Sequence, residues 1–194
     1  MRLYNRSIMD GPDLFRDKYR VASTRLPGYD YGQGGAYFVT ICAKDRQPHF
    51  GTVAVPDGDW AAAVVRPTAL GLRVLSGWDA IPLFASFAAL DAFVLMPDHV
   101  HGLLLLDKNE PIGPPPPFEN QFAPQRDNLA AILRGFKAGV SSYARAQGLP
   151  FAWQARFHDR VVRSDDELTR IRHYILTNPS RWESERDHGE GLYR

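Results

Sequence analysis

The stretch FVLMPDHVHGLLLL, residues 93–106, does most to narrow the folds open to this chain. Two apolar runs rich in β-branched and aromatic residues flank Pro97-Asp98, a pair that withholds a backbone donor and favours a turn. That pattern predicts an antiparallel hairpin with both strands in the core. Side chains alternate along a strand, so His99 and His101 share one face while Val100 takes the other. Two imidazoles side by side on an apolar strand either hydrogen-bond within the core or clamp a divalent metal, and a pair supplies only two of the ligands a metal needs.

The remaining elements follow from period and punctuation. AYFVTICA (36–43) reads as a buried strand, FGTVAV (50–55) as a shorter one, and PTALGLRVL (67–75) as a helix with Pro67 in its first turn. Residues 127–147 place Leu129, Ile132, Leu133, Phe136, Val140 and Tyr143 at helical spacing, and Gly148 closes the helix. FHDRVVR (157–163) is a further strand. Ser164 and Glu167 form a capping box opening a last helix, which Pro179 is expected to stop near Asn178. The run PIGPPPPFENQFAPQ (111–125) reads as an exposed loop insertion. Strand pairs alternating with helices predict an α+β domain, one antiparallel sheet with helices packed against it. The 194 residues divide into a basic arm and loop (1–35), one domain (36–182) and an acidic tail (183–194).

Cys42 is the single cysteine, which excludes an internal disulfide framework and a multi-cysteine zinc site and points to a reducing cytoplasm. The first residues lack an apolar leader core, and no stretch approaches the roughly 20 apolar residues of a membrane helix. A soluble cytoplasmic protein without a membrane partner is expected. The net charge of +1 conceals an uneven distribution. Residues 1–25 hold six Arg and Lys against three Asp, residues 51–111 hold seven acids against three bases, and residues 126–181 hold ten bases against five acids. Basic ends around an acidic middle suit a phosphate backbone, although scattered arginines on solvated helix faces read equally well.

The last helix offers the histidines company. Its stripe of Leu168, Ile171 and Ile175 should face the sheet, with Tyr174 and Asn178 beside that stripe and one turn apart. A phenol is a nucleophile and an amide oxygen is a metal donor. Tyr174 reads alternatively as core and Asn178 as a helix stop. His173 points about 100° away from Tyr174, into solvent, and His158 approaches the site only if its strand lies near.

Three blocks, YFVTICAKDRQPHFG, FVLMPDHVHGLLLL and RIRHYILTNPSRWE, in this order closely resemble the single-tyrosine HUH transposases of the insertion-sequence 200/605 group, above all their REP-associated branch. The resemblance takes in RLPGYDYGQGGAYFVT and LRGFKAGVSSYA and spans about residues 25–185. It implies a ferredoxin-like or RRM-like antiparallel sheet with a catalytic tyrosine on the C-terminal helix. It implies His99 and His101 as metal ligands with Val100 between them, Tyr174 as nucleophile, and Asn178 as the residue that completes the metal site. The implied activity is single-strand DNA cleavage and strand transfer beside a hairpin, through a covalent 5′-phosphotyrosine. It uses Mg²⁺ or Mn²⁺ and no nucleotide cofactor, and the REP-associated branch acts on repetitive extragenic palindromes. An unperturbed phenol ionises near pH 10, so a metal or a base must help it.

Implied partners are single-stranded and hairpin DNA, with a homodimer left open. Lys18, Arg20 and Arg25 in the arm, Arg134 and Lys137, and Arg160, Arg163 and Arg170 are candidate phosphate contacts. Tyr29, Tyr31 and Trp153 are candidates to stack on unpaired bases. Two rival readings stay open: a domesticated hairpin-binding protein that does not cut, and a metal-dependent hydrolase unrelated to DNA. The long proline-rich insertion and the acidic tail ESERDHGEGLYR depart from the family pattern.

Overall fold

The computed structural model describes residues 34–107 and 127–188 and, before them, a two-residue ladder of Leu14–Phe15 (β1) with Lys18–Tyr19 (β2). The candidate loop at 111–125 and most of the arm lie outside the described residues. The first predicted strand is Gly35–Cys42 (β3), and its alternation buries both faces. Gly51–Ala54 (β4) and Val64–Pro67 (β5) then pair antiparallel as a separate ribbon. Helices Ala69–Asp79 (α1) and Ile81–Phe84 (α2) follow, then the hairpin Ala88–Leu95 (β6) and His99–Leu106 (β7), the helix Leu129–Ala146 (α3), strand His158–Val162 (β8) and helix Asp165–His188 (α4).

The main sheet runs β6-β7-β3-β8, antiparallel throughout. With α1 and α3 inserted between its strands it is a ferredoxin-like βαββαβ arrangement. One face carries Tyr37, Val39, Ile41, Val100 and Leu104 against α1 and α3. The other carries Phe38 and Leu103 against Ile171, Tyr174 and Ile175 of α4. The two sheet faces therefore do different work: one holds the large core and the other presents the histidines to α4. Among the described residues, no helix is long and apolar enough to cross a membrane.

Gly102 shows how tightly the larger core is filled. A Cβ at this position would lie 2.2 Å from Cη2 of Trp78, whose ring is 1% exposed and stacks on Phe93. Overfilling of this kind costs about 1–3 kcal/mol, and here the obstacle is a rigid indole. Gly102→Ala is therefore expected to cost at least ~2 kcal/mol and to lower the thermal midpoint by several degrees, as read by a circular-dichroism melt.

Two boundaries differ from the sequence expectation. Pro67 ends β5, paired with Gly51, and does not open α1. Thr68 caps that helix instead, its Oγ1 accepting from Gly71 N at 3.0 Å. A proline is tolerated at the end of a two-stranded ribbon because no further strand asks for its donor. The second correction concerns α4, which continues through Pro179 to His188. Proline removes one helical donor, and nearby hydroxyls engage carbonyls of the same turns: Thr177 Oγ1 donates to His173 O at 2.8 Å and Ser180 Oγ donates to Thr177 O at 2.7 Å. Beyond the proline, Trp182 is anchored on His99, so packing holds the last turns in place.

The start of α4 keeps the Ser164 half of its expected capping box, while the returning carboxylate bond falls one residue earlier, on Arg163. Glu167 N donates to Ser164 Oγ at 3.2 Å, while the Glu167 carboxylate accepts from Arg163 N at 2.8 Å and pairs with Arg160 Nε at 2.6 Å. The Arg163 N–H, followed by the Arg160 guanidinium, holds the Glu167 carboxyl below the usual carboxylate range. A carboxyl lowered on folding stabilises the native state above its unfolded pKa, and that gain is lost as pH falls through the folded value. Glu167→Gln should therefore cost about 1 kcal/mol at neutral pH. The difference from wild type should close as urea titrations are taken well below pH 4.5.

Candidate active site

His99 and His101 project from β7 toward α4, each buried, at 5% and 4% exposure. Their Nε2 atoms face each other at 3.0 Å. The outer nitrogen of each ring is held by a neighbour: His99 Nδ1 lies 2.6 Å from Asp98 Oδ1, and His101 Nδ1 lies 2.8 Å from Thr40 Oγ1. The antiparallel register that sets Thr40 opposite His101, and Cys42 opposite His99, brings this second contact about. Anchoring the outer nitrogens fixes ring orientation and turns both Nε2 atoms to one point. Burial lowers the pKa of His99 against the pull of Asp98, and burial together with the neighbouring His99 lowers that of His101 further. Both rings are thus neutral at physiological pH, the form that binds metal.

Behind the pair, Asp98 accepts from Arg46 Nε at 2.9 Å, and Arg46 Nη1 reaches Cys42 Sγ at 3.0 Å. Asp45 and Arg46 both have left-handed backbones, φ 55° and 53°, and this tight turn carries the arginine back over the sheet end. A relay of charge-assisted contacts, Arg46 to Asp98 to His99, supports the histidine from outside.

Helix α4 supplies the other half. Tyr174 is 6% exposed, its Oη 3.4 Å from His101 Nε2 and its ring edge-on to Phe38 at 6.2 Å. Eight residues on, Trp182 stacks on His99 with ring centroids 6.1 Å apart. Asn178 sits midway between these two, on the same helix face, and is 1% exposed. Its Nδ2 has no hydrogen-bond partner among the described residues, an expensive state for a buried amide. Among the described residues no group of three or more His, Cys, Asp or Glu side chains converges, and the Asn178 amide could serve as a further donor beside the two imidazoles. Two imidazole nitrogens and one amide oxygen are a donor set that could hold a divalent cation of the Mg²⁺ or Mn²⁺ kind. The bidentate pair of Arg172 Nε with both Asp91 carboxylate oxygens, at 3.0 Å each, pins α4 to β6 at a bulge between Leu90 and Phe93.

The predicted phosphate contacts divide by location. Lys18, Arg20 and Arg25, with Tyr29 and Tyr31, have side chains outside the described residues. Arg160 shares the face of Phe38 and pairs with Glu167, and Arg163 and Arg170 are exposed near the start of α4. His158 pairs with Thr40 across β8 and β3, so it lies on the histidine face, exposed and two strands from His101. His173 is exposed, as its helical phase requires. Arg134 and Lys137 stand on α3, across the sheet from the histidines. Lys137 Nζ donates to the carbonyls of Gln154 and Arg156 at 2.9 and 3.0 Å, and Trp153 Nε1 donates to Lys137 O at 3.1 Å. Trp153 packs on Phe50, Phe136 and Phe151. Thr40, Arg46, Asp98 and Trp182 join the site without having been singled out as site residues from the sequence; the proximity of Asp98 to His99 was the one available signal.

No protein-family model matches the chain. An uncharacterized protein of Haemophilus influenzae (strain ATCC 51907 / DSM 11121 / KW20 / Rd) is 31% identical to it over 169 residues, which cover 84% of this chain and 90% of that protein. Among solved structures, a REP-associated tyrosine transposase bound to a REP hairpin superposes with a TM-score of 0.54 at 17% identity, covering 90% of this chain and 89% of that one.

Proposed function

The chain belongs to one family with the Haemophilus influenzae protein and is built on the fold of the REP-associated tyrosine transposase. From this premise we propose that it is a metal-dependent single-strand DNA endonuclease and strand transferase that cuts beside a DNA hairpin. One observation carries the reading: a buried phenol oxygen 3.4 Å from an imidazole nitrogen that itself faces a second imidazole nitrogen at 3.0 Å. A nucleophile and a pair of metal donors that share one small space are what phosphodiester transfer requires.

A divalent cation such as Mg²⁺ or Mn²⁺, held by Nε2 of His99 and of His101 and by the amide of Asn178, would polarise the scissile phosphodiester and stabilise the charge building on its oxygens. Asp98 and Thr40 keep both rings turned inward, and Phe38 holds the phenol ring from the side. Tyr174 Oη attacks phosphorus, and the bond from phosphorus to the 3′ oxygen breaks. That oxygen leaves with the bonding pair and takes a proton from water, while the phenol proton passes to solvent. The product is a 5′-phosphotyrosine and a free 3′-OH. Attack by another 3′-OH reverses the step, rejoining strands without nucleotide hydrolysis because one phosphodiester-level bond replaces another. Hairpin DNA is the proposed partner, since the REP-associated neighbour binds a REP hairpin. Arg163 and Arg170 are the proposed phosphate contacts near α4.

The test uses a 3′-labelled single strand containing a hairpin with unpaired flanks, drawn from inverted repeats beside the protein's own gene, incubated with the protein and Mn²⁺. A labelled band at protein mass on a denaturing gel, dependent on Mn²⁺, is expected. Protein that binds Mn²⁺ and the hairpin yet yields no adduct would overturn the nuclease and favour the binding protein.

A further inference from the structure

On the far side of the β3 end lies a groove of 850 Å³ that the chemistry above does not use. Lys44, His49, Lys137 and Arg145 line it, together with Phe151 and Trp153. Asp45 is the one carboxylate among its lining residues, so Lys44, Lys137 and Arg145 face a single acid. Lys44 and Arg145 make no ion pair among the described residues. Lys137 spends two N–H groups on the carbonyls of Gln154 and Arg156, and an ammonium has three. Cations on a rim above an apolar, aromatic floor are the means by which proteins hold single-stranded nucleic acid without reading its sequence.

The position of the groove relative to the metal centre gives it a purpose. Cys42 is the cross-strand partner of His99, and Lys44 follows two residues later. The chain there is fixed: Lys44 N donates to Ala152 O and Gln154 N donates to Cys42 O, both at 2.9 Å. Arg46, in the same turn, points back to Asp98, so one short segment serves the histidines on one side and the groove on the other. We propose that this groove is a second nucleic-acid site, seating the phosphodiester backbone of the single strand that flanks the cleavage point. The inference rests on the nuclease reading for its biological sense, though not for its test.

The test measures anisotropy of a fluorescein-labelled decathymidylate, which has no hairpin, with the full chain. Lys44→Ala/Arg145→Ala should bind it roughly tenfold more weakly and reduce the slope of log affinity against log salt by about 1.4, the share of two phosphate contacts on a single strand. Ser141→Glu, which sets a carboxylate in the groove and leaves both cations, should weaken binding as well. Each variant should keep the wild-type thermal midpoint to within about a degree, since these side chains are not packed in the core. Decamer affinity unchanged in both variants overturns the groove. So does competition by inorganic phosphate or thymidine 5′-monophosphate as strong as that of unlabelled decamer at equal phosphate, which would make it a small-anion site. Weakened decamer binding in the variants alongside an absent tyrosine adduct in wild type would strike the nuclease alone. A normal adduct with unaffected decamer binding would strike the groove alone.

Discussion

Tyr174→Phe is expected to abolish the covalent protein–DNA adduct, a fall on the order of 10⁴-fold or more, while hairpin affinity changes less than about twofold. The substitution removes one oxygen and nothing else. Phenylalanine keeps the edge contact with Phe38 and the ring contact with His101, at centroid distances of 6.2 and 5.2 Å, so α4 stays seated. The loss would be chemical and not structural, which a thermal melt on the same preparation checks. The comparison also separates the three readings of the site. A hairpin-binding protein loses nothing, and a hydrolase that activates water between the histidines keeps its activity. Only a tyrosine nucleophile predicts a silent variant that still holds its hairpin.

The second large effect is expected at the histidine pair. His101→Gln should lose Mn²⁺ binding by calorimetry and lower adduct formation on the order of 10³-fold, with hairpin binding retained. Glutamine keeps much of the volume beneath Phe38 and Tyr174 but cannot place an imidazole nitrogen 3.0 Å from that of His99. Thr40→Val removes the outer anchor of His101, a 2.8 Å contact, and should weaken metal binding by roughly 10–100-fold, the usual cost of losing an orienting partner. The order of the two variants is the informative result, because a residue that aims a ligand must matter less than the ligand. Chelation of wild type by EDTA should reproduce the His101→Gln defect, and added Mn²⁺ should rescue wild type alone.

What the sequence disclosed and what it hid have physical explanations. Strands β3 and β7 and helix α3 were legible because their period and length leave few alternatives, and Gly148 closes α3 with a left-handed φ of 66°. The phase of α4 brought Tyr174 and Asn178 onto one face without knowledge of the sheet. Thr40 was hidden because its contact with His101 depends on the register between strands 61 residues apart. Trp182 was hidden by a local rule that lost to packing: proline disfavours helix, yet the indole over His99 holds the last turns. The hydrogen bonds of Lys137 and Trp153 that tie α3 to the segment before β8 were hidden as well. Nothing in their spacing distinguishes a bridging lysine from a solvated one.

The proposed chemistry rests on the Tyr174 phenol oxygen, and peptide mapping of the trapped adduct tests it most directly. Trypsin cuts after Arg172 and Arg181, releasing HYILTNPSR with Tyr174 as its second residue. After nuclease trimming of the Mn²⁺-dependent adduct, that peptide should carry the mass of a 5′-linked nucleotide, with fragment ions placing it on Tyr174. A nucleotide mapped to any other residue, or adduct that persists in Tyr174→Phe, would contradict the account.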